Sequence, residues 1–174
     1  MLSISKKTDY ALLALSYLTH IEAGRAANTK EIAEQYDIPV ELLAKILQKL
    51  AKARLITSSA GPAGGYRLAR PAGDISVGTI IAVVDGTPAI TQCMKTEGNS
   101  CDQHDKCTIR KPLARINARI LQMLHLISLA EISSEDLEET TFPILAHLGP
   151  APRRVETAFN RTQTSLTHTS SSND

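Results

Sequence analysis

Apolar residues recur at three- and four-residue spacing through residues 1–53, a pattern typical of helices that bury one face. The first apolar stripe covers residues 10–21, and Gly24 ends that helix. Asn28, followed three residues later by Glu31, resembles a capping box and predicts the start of a short second helix. The chain is therefore expected to open with two helices separated by a short break.

A third helix is expected after a tight turn. The segment Asp37-Ile38-Pro39 predicts the turn, and Pro39 suits the first position of a helix over about residues 40–53. The inner face of this helix is predicted to hold Leu43, Ile46, Leu47 and Leu50. Two short helices joined by three or four residues have the geometry of a helix-turn-helix.

A small β-hairpin is predicted directly after the third helix. Residues 55–57 and 65–68 have the composition of short strands, and Ser, Ala, Gly and Pro fill the segment between them. No Gly-Lys-Ser/Thr follows the glycines and no strand leads into a helix there, which argues against a nucleotide-binding loop. A hairpin after a helix-turn-helix makes a winged helix.

The second half of the chain alternates helical and irregular patterns. Ser76 is predicted to cap a helix over residues 77–85 that ends at Gly86. An apolar stripe from Pro112 to about Glu131 predicts one long helix. In a small protein such a helix favours pairing with the same helix of a second subunit, and packing on the winged domain of the same chain is the alternative. Beyond about residue 149 the composition turns to Pro, Arg, Thr and Ser and predicts disorder.

These elements predict a mainly α fold with a small β-wing, built as a winged helix-turn-helix domain plus a long dimerisation helix. The expected boundaries are residues 1–86 for the DNA-binding domain, 87–111 for a loop that holds the cysteines, 112–132 for the dimerisation helix and 133–174 for a C-terminal extension.

Composition and charge narrow the function. The chain has 174 residues, 43% hydrophobic and 21% charged, and its apolar stretches are too short to span a bilayer. No secretory signal is recognisable, so we expect a cytoplasmic protein without structural disulfides. Residues 1–70 hold ten Lys or Arg against six Asp or Glu, whereas residues 71–174 hold nine against twelve. The basic first half suits a polyanion, although a solvated basic surface is the alternative.

The exposed side of the third helix is predicted to enter the major groove of DNA. Gln48 suits adenine, Lys45 suits guanine, and Glu41 can accept a hydrogen bond from cytosine. Cations around them suit phosphates, although an ordinary solvated helix face with a Glu41–Lys45 pair would have the same pattern. The full set of expected DNA contacts is Lys30, Val40, Glu41, Lys45, Gln48, Lys49 and Lys52, with Gly64, Arg67 and Arg70 on the wing.

The three cysteines, Cys93, Cys101 and Cys107, lie within fifteen residues on a polar stretch between two helices. Buried structural cysteines are normally scattered through a core, so this clustering favours metal ligands or redox thiols. Soft thiolates suit an iron–sulfur cluster or zinc. The spacing is not that of a typical structural zinc site, but His104 can complete a Cys3His set, and a thiol–disulfide switch also stays open.

Several segments resemble the winged-helix regulators that include IscR, the SUF-system regulator and the nitric-oxide sensor NsrR. They are Thr8-Asp9-Tyr10-Ala11-Leu12, the wing from Gly61 to Arg70, Ile75-Ser76-Val77, the cysteine trio, Arg115-Ile116-Asn117 and Ser128-Leu129-Ala130-Glu131. The match spans about residues 1–132, and the first and last of these segments are most similar to the SUF-system branch.

The resemblance implies a homodimer that binds double-stranded promoter DNA, acts on no small-molecule substrate and needs no membrane. It implies a [2Fe-2S] or [4Fe-4S] cluster on the three cysteines, with DNA binding that changes with the state of the cluster. Arg110 stands where IscR-type members carry a ligating His and cannot itself ligate. Asp9, donated from the other subunit, is the favoured fourth ligand, and His104 is the alternative.

We therefore predict a transcriptional regulator, a repressor of SUF-type cluster-assembly genes that senses cluster supply. A nitric-oxide or redox sensor with the same ligands is the nearest alternative, and a zinc-binding structural module is the alternative from another class. An enzyme is not expected, because His104 is the one candidate partner for a nucleophilic cysteine and the sequence shows no recognisable substrate pocket.

Overall fold

The computed structural model describes residues 4–61, 64–94, 103 and 106–134. Its helices and strands are α1 (Lys6–His20), α2 (Thr29–Gln35), α3 (Val40–Lys52), β1 (Ile56–Ser59), β2 (Gly65–Leu68), α4 (Val77–Asp85), α5 (Arg110–Leu126) and α6 (Leu129–Ser133). Short 3-10 helices cover Ala72–Asp74 and Gln92–Met94. The disorder predicted beyond about residue 149 lies outside the described residues.

The predicted caps Asn28 and Ser76 are confirmed, whereas Pro39 is the residue before α3 and not its first residue, and α5 begins at Arg110 and not at Pro112. The side chain of Asn28 accepts a hydrogen bond from the Glu31 N–H at 2.9 Å, as a helix N-cap should. The reciprocal half of the predicted capping box is not formed. The Glu31 carboxylate instead accepts hydrogen bonds from Tyr17 and Arg25, because both donors reach it from the end of α1 and the loop that follows.

The core lies between α1, α2, α3 and α4. Helix α3 buries the four predicted residues Leu43, Ile46, Leu47 and Leu50 completely or nearly so. Each such side chain stabilises the fold by about 1.5–3 kcal/mol through removal of apolar surface from water. Asp37, with a φ of 52°, makes the turn between α2 and α3 and lets the Ile38 N–H bond to the Ala33 carbonyl at 2.9 Å. This packing fixes the orientation of α3.

The hairpin is an antiparallel pair in which Ile56 faces Leu68 and Ser59 faces Gly65. The chain before α2 adds to this sheet, since Ala27 exchanges two backbone hydrogen bonds with Tyr66, at 3.0 and 2.8 Å. A Cβ on Gly65 would lie 2.5 Å from the Ala27 carbonyl oxygen, so only glycine permits this approach. The wing is thereby joined to the loop between α1 and α2.

Helix α4 has the predicted bounds and caps. Ser76 accepts a hydrogen bond from the Thr79 N–H at 3.2 Å, and Gly86, with a φ of 86°, ends the helix. Helix α5 contacts α4 closely at Gly78, where a Cβ would lie 2.8 Å from Nδ1 of His125. The segment that holds the cysteines thus leaves α4 and returns as α5, which packs on the same helix.

The single helix predicted over 112–132 is wrong. Helix α5 ends at Leu126, and Ser128 begins α6 with a complete capping box in which Ser128 and Glu131 bond each other's backbone N–H. Leu129 is fully buried, and its N–H donates to the Ile75 carbonyl at 2.7 Å. The chain after α5 therefore rejoins the winged domain. No helix among the described residues is long and apolar enough to cross a membrane.

Candidate DNA interface and cysteine segment

The face of α3 opposite the core is polar and exposed. Glu41, Lys45, Gln48 and Lys52 all lie on it. Val40, the first residue of the helix, is 46% exposed. Because four leucine and isoleucine side chains fix the opposite face, this surface is held rigidly, as recognition of base edges requires.

Lys49 differs from the other predicted contacts on α3. Its Nζ donates a hydrogen bond to the backbone carbonyl of Val84, near the end of α4, at 3.1 Å. Among the described residues, Lys45 and Lys52 make no such bond and present their ammonium groups to solvent. Among the cations of α3 predicted to contact DNA, Lys45 and Lys52 are therefore exposed to solvent, whereas Lys49 is already hydrogen-bonded to α4.

The wing presents its predicted cations to solvent. Arg67 and Arg70 are exposed, and Nε of Arg67 lies 3.4 Å from the hydroxyl of Thr57 on the neighbouring strand. Gly64 closes the turn through a 2.8 Å hydrogen bond to the Gly61 carbonyl. A Cβ there would lie 2.5 Å from the Ser59 carbonyl oxygen, so Gly64 is required by the shape of the wing, whatever else it contacts.

A polar network holds the loop that leads from α1 to α2. The Tyr17 hydroxyl and the Arg25 guanidinium both donate to the same carboxylate oxygen of Glu31, each at 2.6 Å. The hydrogen bond from Tyr17 and the nearby Arg25 charge keep the pKa of Glu31 below its ordinary value, although partial burial opposes this. Lys30, next to Glu31, is exposed and pairs with Glu34 at 3.7 Å. Sequence patterns did not reveal the role of Tyr17 or Arg25.

A second polar cluster joins the ends of α1, α3 and α4; we call Thr8, Lys49 and Asp85 the helix junction. The hydroxyl of the fully buried Thr8 donates to the Asp85 carboxylate at 2.6 Å. Partial burial raises the pKa of Asp85, but hydrogen bonds from Ser5 and Thr8 and the charges of Lys7 and Lys49 lower it more. The lowered pKa means that Asp85 stays ionised at pH values where an ordinary aspartate begins to take up a proton.

The cysteine segment, residues 87–111, is described in part. Cys93 lies half-buried in the 3-10 helix Gln92–Met94 with its Sγ 3.3 Å from the Thr91 hydroxyl, and Cys107 lies half-buried just before α5. Neither sulfur is in a disulfide. Asn117 of α5 accepts a hydrogen bond from the Ile90 N–H at 3.0 Å and so ties the start of the segment to α5.

Two of the predicted ligands, Cys101 and His104, lie outside the described residues. Within the part of the chain that is described, no three His, Cys, Asp or Glu side chains come together in a metal site. Asp9 lies in the first turn of α1, is about half-exposed and pairs with Lys6 at 3.8 Å. Its side chain is thus in contact with solvent.

Comparison with known proteins decides the family. A model of the Rrf2 family, described as iron-dependent transcriptional regulators, matches residues 4–135. This chain belongs to the Rrf2 family. The resemblance drawn from the wing and the cysteine trio is confirmed at this level.

Named relatives of this Rrf2 protein are regulators as well. The chain is 30% identical over 148 residues to the transcriptional regulator NsrR of Oceanobacillus iheyensis, a match that covers 85% of this chain and 97% of the relative. It is 31% identical over 133 residues to IscR of Sodalis glossinidius, covering 76% and 79% of the two chains. The prediction of a transcriptional regulator rather than an enzyme is confirmed.

Solved structures show the same fold. T. potens IscR superposes with a TM-score of 0.57 at 27% identity, covering 75% of this chain and 85% of that one. CymR, the global cysteine regulator of B. subtilis, superposes with a TM-score of 0.61 at 24% identity, covering 76% and 97%. The prediction of a mainly α fold with a small β-wing is confirmed, and the chain is a DNA-binding regulator of transcription.

Proposed function

We propose that this Rrf2 protein is a cytoplasmic, homodimeric repressor that senses iron–sulfur cluster status through a cluster held by Cys93, Cys101 and Cys107. The observation that carries the proposal is the position of the cysteine segment, which leaves the DNA-binding domain at Gly86 and leads into α5 at Arg110. Cys93, which follows α4, and Cys107, which precedes α5, would then bind the same cofactor.

The donor set fits such a cofactor. Cys93 and Cys107 are free and half-buried, and thiolates are the usual protein ligands of iron–sulfur clusters. The Thr91 hydroxyl beside the Cys93 sulfur can donate a hydrogen bond to a thiolate, as outer partners of metal ligands commonly do. The description of the family as iron-dependent favours iron over zinc. When bound, a [2Fe-2S] cluster, or alternatively a [4Fe-4S] cluster, would supply metal–thiolate bonds sensitive to iron supply and oxidants.

Helix α5 supports the dimer. None of its residues is buried in the described chain, and Ile116 on the helix and Ile109 just before it are at least half exposed. An exposed apolar stripe of this length is stable when it packs against another surface. Ile116→Glu should convert the dimer to a monomer in sedimentation, whereas Gln122→Glu on the polar side of α5 should leave it a dimer. A dimeric Ile116→Glu protein would contradict this interface.

DNA recognition is proposed to use the exposed face of α3 in the major groove and the wing beside it. Glu41, Lys45 and Gln48 would contact base edges, with Val40 at the end that enters the groove first. Lys30, Lys52, Arg67 and Arg70 would contact phosphates. SUF-type promoters are the proposed targets, as the resemblance at residues 8–11 and 128–131 implies.

Anaerobic reconstitution tests the cofactor directly. The unmodified protein should gain iron, acid-labile sulfide and visible absorbance, and alanine at any of the three cysteines should abolish that spectrum while the helical content and dimer persist. Gln103→Ala, an exposed change in the same segment, should keep the spectrum. Full colour in all three cysteine variants would overturn the ligand set, and one bound zinc without iron would favour the zinc module.

The fourth ligand is proposed to be Asp9 of the second subunit. Its exposure at the start of α1 leaves the carboxylate accessible, and an oxygen ligand would make that iron position exchangeable, which suits a sensor. Asp9→Ala should shift the absorbance of the reconstituted protein, and His104→Ala should not. The reverse pattern would identify His104 as the ligand and Asp9 as an ordinary first-turn acid.

A further inference from the structure

We infer that Lys49 is a positioning residue that anchors the recognition helix to the end of α4, rather than a contact to DNA phosphate. The inference rests on the proposed assignment of α3 as the recognition helix. Lys49 was expected to contact DNA, but it is assigned here to the contact between the recognition helix and the end of α4, where the cysteine segment begins.

The bond of Lys49 satisfies a group that α4 leaves unpaired. The last four carbonyls of an α-helix have no partner within the helix. At the end of α4, the Gly86 N–H bonds to the Ala82 carbonyl, and the Lys49 ammonium donates to the Val84 carbonyl at 3.1 Å. A cation at this position also faces the negative end of the helix dipole. Lys49 is therefore bound favourably before DNA arrives.

A neighbouring carboxylate strengthens this placement. Asp85 is the last residue of α4, and the Lys49 charge is among those that act on it. Asp85 is itself fixed by the hydroxyl of the buried Thr8 at 2.6 Å. Moving Lys49 to a phosphate would break a charge-assisted hydrogen bond and separate it from a fixed negative charge. In the described structure, Lys45 and Lys52 lie on the solvent side of the same helix and would break no such hydrogen bond on moving to a phosphate.

The hydrogen bond between Lys49 and the Val84 carbonyl lies close to the start of the cysteine segment. Gly86 follows Asp85 directly, and the cysteine segment begins at the next residue. A displacement of the end of α4 would therefore also move the carbonyl group that Lys49 binds. The helix junction is thus one of the contacts that join the proposed recognition helix to the end of α4, next to the start of the cysteine segment.

Salt dependence of DNA binding separates the two roles. Each phosphate contact contributes about 0.9 to the slope of log affinity against log salt on duplex DNA. With a duplex that the protein itself selects from random sequence, Lys52→Gln should lower that slope by about 0.9. Lys49→Gln should leave the slope unchanged while weakening binding about threefold to tenfold, since one hydrogen bond from an exposed side chain is lost from the support of α3. Lys49→Arg, which keeps the charge and the donor, should restore most of the affinity.

A slope that falls equally in Lys49→Gln and Lys52→Gln would overturn the inference, as would unchanged affinity in Lys49→Gln. If Lys45→Gln, Lys52→Gln and Lys49→Gln all bind DNA as the unmodified protein does, the assignment of α3 fails, and the inference fails with it. Acetylation of the unmodified dimer gives a measurement that needs no variant: DNA should slow the modification of Lys52 but not of Lys49. Equal protection of both by DNA would also overturn the inference.

Discussion

Gly65→Ala tests how the wing is held to the rest of the DNA-binding domain. A Cβ at this position would lie 2.5 Å from the oxygen and 2.6 Å from the carbon of the Ala27 carbonyl. Both are backbone atoms and cannot rotate away, so the wing strand must move. The two hydrogen bonds between Ala27 and Tyr66, at 3.0 and 2.8 Å, would then lengthen or break.

The expected loss of stability follows from these contacts. Two backbone hydrogen bonds at about 0.5–1.5 kcal/mol each account for about 1–3 kcal/mol. Displacing tightly packed neighbours adds about 1–3 kcal/mol, as overpacking substitutions do. We therefore expect the free energy of unfolding to fall by about 2–6 kcal/mol, which at about 2–4 °C per kcal/mol for a chain of this size lowers the melting temperature by about 4–24 °C.

Thermal unfolding followed by circular dichroism measures this shift. Gly73→Ala is the matched control, because a Cβ on Gly73 would meet nothing within 4 Å, and it should melt as the unmodified protein does. DNA binding below the melting temperature should also weaken in Gly65→Ala, since Arg67 is carried by the displaced strand. If Gly65→Ala melts together with Gly73→Ala, the close approach of β2 to Ala27 does not constrain the residue at position 65.

Three further substitutions each test the role of one residue. Asp85→Asn should reduce the loss of stability on acidification. The pKa of Asp85 is lowered in the folded state, so its stabilising contribution is present above about pH 4 and is lost as the pH falls through that lowered value. Urea unfolding at pH 7 and pH 3 measures the loss, and a variant that loses as much stability as the unmodified protein would contradict this role of Asp85. Ser128→Ala should lower the free energy of unfolding by about 1 kcal/mol through loss of the α6 cap; an unchanged urea midpoint would show that the buried Leu129 holds α6 without it. Gln48→Ala should cost about 1–3 kcal/mol on the selected site and relax the preference at one base pair, and a loss equal on every sequence would remove Gln48 from the base-reading set.

The sequence predicts the parts of this fold that local signals specify. Ser76 and Asn28 cap helices through hydrogen bonds to residues three positions later, so three-residue spacing is enough to locate them. The amphipathic pattern of α3 likewise predicts which side is buried and which side is free to contact DNA. Local signals conflict at Ile127, where the apolar spacing continues through the break and conceals the capping box formed by Ser128 and Glu131.

Contacts between distant segments escape this kind of prediction. The partner of Lys49 is a backbone carbonyl, a group that every residue carries, so no pattern in the sequence marks Val84 as its acceptor. Glu31 was expected to complete its own helix cap, but Tyr17 and Arg25 bring it two charge-assisted bonds that local spacing does not show. The cysteine spacing predicts shared chemistry, yet the arrangement of the three sulfurs depends on how the segment folds between α4 and α5.

The most direct test of the proposed sensor compares the DNA affinity of one anaerobic preparation before and after its cluster is removed, on the selected duplex at fixed salt. Typical couplings between two sites correspond to about 5- to 150-fold in affinity. We expect a difference within that range, and we expect Cys93→Ala and Cys107→Ala proteins, with or without reconstitution, to bind with the affinity of the cluster-free form. Equal affinities of the loaded and cluster-free proteins would show that DNA binding does not respond to the cluster and would contradict the proposed sensor.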